Sequence, residues 1–398
     1  MRATFVIGKN RIRPWDWLLV IGIVMAPMTG LRVWKAGPAE VLCLLWTLKY
    51  FPRRYLKVND TLKFFAVFLS AMLVGALVGS VAAPQELRPA GYLVWLYLAY
   101  IALAIFDGLR RNELAYNEAL LRRVAALSVV WYLFLYVYSL FISRSFFGAP
   151  LWYANYRYSG GGTNPHQVAV LMCAVLFVLV RAARQRHHVL LNLLLAYGAI
   201  FIIVKARSST GYVAIALGAL MELYFFGSRR TNSNRRKAAL LFGEFILAVV
   251  VVVVFRTRIY RMLYAWIASD QNGLGRLTIF ASIGDCFRKS PLVGLGPGEH
   301  GLNGLIEFHN TYLEILAATG VIGFIAFIIY TVRLVKKLSV DTSLLPILVT
   351  LYAYGLAGFA MRRLAYWGTL MMILAISEQL QAARLTAAAQ TSDVSLHT

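Results

Sequence analysis

Apolar positions along the chain gather in long blocks broken by short polar intervals. The blocks fall near 16–31, 38–51, 62–83, 90–107, 121–142, 166–181, 188–204, 211–227, 238–255, 310–332, 344–361 and 363–381. Each reads as a membrane helix, about twelve in all, some shorter than the roughly 20 residues a perpendicular crossing needs. The short ones are expected to be tilted, displaced or broken. Two polar intervals depart from this rhythm. The one at 256–309 is far longer than the others, and the one at 143–165 carries Trp152, Tyr153, Tyr156 and Tyr158 before the glycines 160–162.

The long interval has its own pattern. Leu277, Phe280, Ile283 and Phe287 recur at three- to four-residue spacing and predict a short amphipathic helix. Gly294, Gly296, Gly298, Gly301 and Gly304 then exclude regular helix. Thr311 with Glu314 three residues on has the form of a capping box, which starts the next helix directly after His309. A histidine is thereby placed at the mouth of a membrane helix, between a polar loop and the bilayer.

Composition settles the fold class. The 398 residues are 60% hydrophobic and 14% charged, with a mean hydropathy of +0.66. Soluble domains are nearer half apolar and a quarter charged. The expectation is an all-α polytopic membrane protein, one bundle over 1–398. The net charge of +23 needs no nucleic acid partner, because cytoplasmic loops collect Lys and Arg. With the N-terminus inside, about 25 of the 40 basic residues fall in inner loops. Both termini are then cytoplasmic, with 382–398 a cytoplasmic tail whose residues 386–398 are expected to be disordered. The three cysteines have neither disulfide nor zinc spacing, and the basic N-terminus leads into a span without a cleavage site.

The translocated side holds cations that run against the orientation rule: Arg256, Arg258, Arg261, Arg276, Arg288 and Lys289 in the long loop, and Lys205 and Arg207 in a tight turn. An anionic ligand would account for them. Arg207 precedes Ser208, Ser209 and Thr210, any of which can cap the next helix and form an anion site at its N-terminus. An arginine snorkelling from a span end explains Arg207 equally well. Lipid headgroups along an interfacial helix explain Arg288 and Lys289, and Arg276 less well. His309 has three open readings: a general base, a hydrogen-bond donor to phosphate, or a polar residue at the water boundary. His300 and His309 lie nine apart and form no zinc signature, and no carboxylate cluster suggests a divalent metal. Glu222 and Glu244 lie near the inner ends of adjacent spans, suited to pairing with the 229–237 basic cluster. No metal or cofactor is expected.

His309-Asn310-Thr311-Tyr312-Leu313-Glu314, Gly320-Val321-Ile322-Gly323 and the preceding Pro291-Leu292-Val293-Gly294-Leu295-Gly296 resemble the O-antigen ligase/polymerase superfamily. The likeness runs over about 205–325, with Arg207 and Arg276 at the family's two arginine positions. Ala206 stands where the family usually has a serine before its first arginine. The resemblance implies a glycosyltransferase C-like membrane fold in the bacterial inner membrane, with a periplasmic catalytic loop at 256–309. It implies an undecaprenyl-pyrophosphate-linked glycan donor and, for the ligase branch, a lipid A-core acceptor. His309 would be catalytic. Arg207, Arg276, Arg288, Lys205 and Asn310 would bind substrate, with the glycine loop offering backbone N–H groups. Polymerase is the alternative within the family, and a polyprenyl-glycan flippase the alternative from another class.

Overall fold

The computed structural model describes residues 12–33, 36–49, 58–82, 88–228, 233–254, 256–257, 260–261, 264, 276–302, 304, 306–358 and 360–396. It is mostly helical. The helices in chain order are α1 (Asp16–Met25), α2 (Pro38–Leu48), α3 (Asp60–Ala82), α4 (Arg88–Leu109), α5 (Leu114–Phe141), α6 (His166–Arg184), α7 (Val189–Ala206), α8 (Ser209–Ser228) and α9 (Asn234–Val254). Two short helices follow, α10 (Arg276–Ala281) and α11 (Ile283–Lys289), then α12 (Thr311–Leu338), α13 (Leu345–Tyr354) and α14 (Leu364–Leu396). Two small antiparallel hairpins lie between α5 and α6: β1 (Ser145–Phe146) with β2 (Ala149–Pro150), and β3 (Trp152–Tyr153) with β4 (Arg157–Tyr158).

Every one of the twelve apolar blocks contains a helix. Seven helical stretches among the described residues are long and apolar enough to cross a membrane. Helices α1 and α2 have only 10 and 11 residues, about 15 Å at 1.5 Å per residue, half the hydrocarbon thickness. At the far end they are tied together by the buried Asp16 carboxylate, which accepts hydrogen bonds from Trp46 Nε1 at 2.8 Å and Tyr116 OH at 2.5 Å. Helix α6 is the centre of the bundle, buried along nearly its whole length, as expected of a helix apolar all round. Lipid tails are as apolar as leucine, so packing and hydrogen bonds hold such a bundle. Aromatic contacts supply part of this, as where Phe64 of α3 stacks on Tyr330 of α12 with centroids 4.6 Å apart.

The bundle has two chemically different ends. At the far end, basic residues meet carboxylates: Arg110 and Arg111 meet Asp107, Arg181 meets Glu118 and Asp341, Arg333 meets Asp60, and Lys337 meets Asp60 and Glu378. Glu222 also pairs, with Arg184 of α6, which packs beside α8; Arg229 and Arg230 of the basic cluster expected to meet it lie outside the described residues. Helix α14 continues to Leu396, into the tail expected to be disordered. Alanines at 382, 383 and 387–389 are strong helix formers and extend it.

Helix α12 is broken at Gly320, where φ is +59° and ψ is −162°. The Pro291–Gly296 segment lies in the break. Leu295 N donates to Ala317 O at 2.8 Å and Gly296 N to Ala318 O at 3.0 Å. In return Val321 N donates to Pro291 O at 2.9 Å and Ile322 N to Leu292 O at 3.1 Å. The loop thus satisfies the backbone groups that the break exposes. A small satellite core of Ile279, Cys286, Leu295, Ile306, Phe308 and Ala317 closes around it.

Candidate active site

The opposite end of the bundle is assembled from five stretches. Helix α7 ends at Ala206, and Arg207 turns left-handed as its C-cap (φ 47°, ψ 46°). Ser208 caps α8, its Oγ accepting from Gly211 N at 3.1 Å. The same Oγ lies 3.0 Å from His166 Nδ1 at the start of α6 and 3.1 Å from the hydroxyl of Tyr354 at the end of α13; His166 Nδ1 and Tyr354 OH are 2.8 Å apart. Three helix ends are therefore joined by one buried knot directly beside Arg207.

From Tyr354 the chain runs through 355–363 to α14, and this segment reaches the mouth of α12. Asn310 Nδ2 donates to Leu356 O at 2.9 Å. Thr311 Oγ1 donates to Gly358 O at 2.6 Å and accepts from Ala360 N at 3.0 Å. Arg362 pairs with Glu307, two residues before His309. Burial pushes the Glu307 carboxyl up, but the charges of Arg362, Arg363 and His309 and the Arg362 hydrogen bond outweigh it and hold the group below its usual range.

Helix α12 begins at Thr311, as its sequence pattern requires, but the cap is different. Asn310 is the N-cap, its Oδ1 accepting from Tyr312 N at 3.0 Å and Leu313 N at 3.1 Å. Thr311 is spent on the 358–360 backbone instead, and Glu314 accepts from Phe308 N at 2.6 Å. His309 sits in the left-handed region at φ 52°, half-buried, turned by the bonds on either side of it. The glycine loop differs too. Its Leu295 and Gly296 N–H groups are used by α12, so they are not donors for a ligand. His300 Nε2 lies 2.7 Å from Gly296 O and belongs to that buried loop.

The cations at this end are of two kinds. Arg32 pairs with Glu40, Arg288 with Asp285, and Arg362 with Glu307. The others have no carboxylate partner among the described residues. Arg207 is exposed, its guanidinium 5.4 Å from the centroid of Tyr156. Lys205 lies 5.2 Å from the ring of Phe201 and 5.7 Å from that of Tyr136. Arg157 donates from Nε to Ala206 O at 3.3 Å. Arg363 is half-buried among the charges of Arg362, Arg32 and Glu307. Guanidinium groups without a carboxylate partner among the described residues, at the same end as a histidine and a helix N-terminus, suit a polyanion.

Among the expected site residues, the connections through Tyr354 and 355–363 bring Arg207 and Lys205 to the same end as His309 and Asn310. Asn310 spends its whole amide on the backbone. Arg288 is 80% exposed and pairs with Asp285 at 2.5 Å, one turn away on α11, with no bond to the cluster among the described residues. Arg276 opens α10, but its side chain lies outside the described residues, as do 265–275 of the long loop. The predicted amphipathic helix is two short ones. Ser282 divides them, its Oγ donating to Ile279 O at 2.6 Å and accepting from Leu302 N at 2.9 Å. The buried positions are Ile279 and Cys286, while Phe287 is exposed. Sequence reasoning missed Arg157, His166, Tyr354, Arg362 and Arg363; the adjacent arginines at 362–363, between two apolar blocks, were the available signal.

Residues 193–328 match a family model described as O-antigen ligase. The match runs from within α7 to within α12, taking in Arg207, Arg276 and His309. No curated protein matches the chain.

Proposed function

We propose, from the match of residues 193–328 to a family model described as O-antigen ligase, that the chain is the ligase: a glycosyltransferase of the bacterial inner membrane that moves O-antigen polysaccharide from undecaprenyl pyrophosphate to a sugar of lipid A-core. The observation that carries this reading is the set of cations, Arg157, Arg207 and Lys205, that lie at the same end of the bundle as His309 and have no carboxylate partner among the described residues. In this reading the site end faces the periplasm, both termini are cytoplasmic, and the chain crosses the membrane about twelve times.

The acceptor hydroxyl attacks the anomeric carbon from the face opposite the pyrophosphate, forming the new C–O bond as the old one breaks. Configuration inverts, and the hydroxyl proton passes to His309. The pyrophosphate leaves with the bond's electron pair, and its growing charge meets Arg207 and Arg276, with Arg363 and Lys205 beside them. Arginine does here what a divalent ion does in other pyrophosphate enzymes, so transfer should survive excess EDTA; loss restored by magnesium would refute that step. Arg288 and Asn310 act at the periphery, the first towards headgroups or the acceptor, the second by fixing where His309 stands.

Deleting the gene and examining the polysaccharide tests the assignment. Long chains left on the carrier lipid identify the ligase. Single repeats transferred to core identify the polymerase, and lipid-linked repeats trapped on the cytoplasmic face a flippase. The gathering of Arg157, Arg207 and Lys205, which have no carboxylate partner among the described residues, at the His309 end favours an enzyme over a flippase, which would need such cations along its helices.

A further inference from the structure

The hairpin β3–β4 bends over Arg207, and nothing in the transfer step uses it. It is firmly seated. Tyr158 is fully buried, with its hydroxyl donating to Tyr132 O at 2.8 Å. Arg157 Nε reaches Ala206 O, one residue before Arg207. Ala154 (φ 47°) and Asn155 (φ 64°) close a tight tip that leaves Tyr156 54% exposed.

Along this hairpin Trp152, Tyr153 and Tyr156 each have a guanidinium for a neighbour. Arg144 lies 5.5 Å from the Trp152 ring, Arg157 6.0 Å from Tyr153, and Arg207 5.4 Å from Tyr156. The preceding hairpin, β1–β2, is its chemical opposite. Phe146 and Phe147 carry no polar atom, Phe146 packs edge-on against Trp131 at 5.7 Å, and Phe147 is 87% exposed. Both line an apolar groove of about 920 Å³ with residues of α1 and α5, such as Ile21 and Phe134. One hairpin suits lipid. The other, with its tyrosine rings, hydroxyls, amide and guanidinium groups, suits a ligand with an apolar face and a polar rim.

We propose that β3–β4 with its 154–156 tip is a sugar platform, on which Tyr156 and Tyr153 receive the pyranose rings nearest the pyrophosphate of the donor. A pyranose has the required shape: a C–H face that stacks on an aromatic ring and a rim of hydroxyls that bonds Asn155 and the arginines. The position follows from covalent geometry. The first sugar is bonded directly to the phosphate, so once Arg207 holds that phosphate the sugar lies within one ring's length of Tyr156. An ordinary interfacial aromatic belt would set its rings against lipid; these are set against guanidinium groups. The proposal rests on the reading of Arg207 as a pyrophosphate ligand.

The test measures binding of two probes to the purified full-length protein. One is bare undecaprenyl pyrophosphate, the other the glycan-bearing form extracted from cells lacking the gene. Tyr156→Ala should weaken the glycan-bearing form about five- to tenfold more than the bare one, the worth of one aromatic stacking contact. Tyr153→Ala should act in the same direction, and Tyr156→Phe, which keeps the ring, should stay within about twofold of wild type. Arg207→Ala should weaken both probes alike. If Tyr156→Ala weakens both by one factor, or neither, the platform is refuted while the pyrophosphate reading stands. If the wild-type protein binds neither probe, the pyrophosphate reading fails and the platform falls with it.

Discussion

Replacing Gly320 by alanine should dismantle the site from a distance. The residue's φ of +59° with ψ of −162° lies where only glycine is comfortable, and a side chain there costs about 1–3 kcal/mol. A Cβ would also stand 2.5 Å from Val293 N and against the Leu292 carbonyl. Relief is available only if α12 straightens and expels the Pro291–Gly296 segment. That forfeits the four backbone hydrogen bonds across the break, each worth about 1 kcal/mol net. Together these come to about 5–7 kcal/mol, comparable to the whole stability of a modest domain. Thermal unfolding in detergent should therefore occur at a clearly lower temperature. Glycan transfer should fall at least about 100-fold, since displacement of a catalytic group by about 1 Å costs that much. Gly284→Ala is the control: it sits in α11 with nothing within 4 Å of its would-be Cβ, and should be neutral or slightly stabilising. A Gly320→Ala protein that melts and transfers like wild type would show that α12 runs unbroken.

Other expectations follow from the site. His309→Ala should insert normally and lose about 10²–10⁴ in transfer rate; His309→Gln keeps a hydrogen bond without a basic nitrogen, so near-wild-type transfer by it would place the base elsewhere. Arg207→Lys keeps the charge but not the bidentate fork, so transfer should drop sharply with protein levels unchanged; full activity of Arg207→Ala would make this arginine a snorkelling one. Glu307 has a depressed carboxyl, so its stabilising effect is present above the ordinary glutamate pKa and is lost as pH falls through the folded value. Glu307→Gln should thus melt below wild type at pH 7, with the gap closing in acid; a gap unchanged down to about pH 3 would remove the ion pair as its cause. A cysteine placed at the exposed Glu299 should label in intact cells while one placed at the exposed Arg235 does not, and the reverse would invert the orientation.

What the sequence discloses about this site follows the range of each interaction. The start of α12 is legible because capping chemistry is local, and the error in naming its cap is a single residue, Asn310 for Thr311. The Asp285–Arg288 pair lies within one helical turn and could have been read from spacing alone. The break at Gly320 could not, because it depends on Pro291–Gly296 arriving from more than twenty residues earlier. The glycines were legible as loop residues, but their purpose was not. Gly294 approaches the Ala318–Thr319 backbone and Gly296 approaches Ala76 of α3. They serve the closeness of three backbones, where a ligand contact had been expected. His166 was hidden because it stands at the head of an apolar block and meets Ser208 and Tyr354 only through folding.

The same consideration explains why arginine can persist at the site end at all. With the site end facing the periplasm, as proposed, its cations work against insertion, and a bundle end crowded with them repels itself. At the far end carboxylates offset that repulsion. At the site end, among the described residues, they do so for Arg32 and Arg362, with Glu40 and Glu307 beside them, and for Arg288 with Asp285. For Arg157, Arg207 and Lys205 the protein substitutes aromatic faces and a backbone carbonyl. These orient a cation without neutralising it, each ring contributing about 0.5–2 kcal/mol. A carboxylate in their place would compete with phosphate for the same guanidinium fork. Rings and carbonyls therefore keep the charge ordered and available, and on the proposed function a pyrophosphate arriving there would meet donors whose orientation is already fixed.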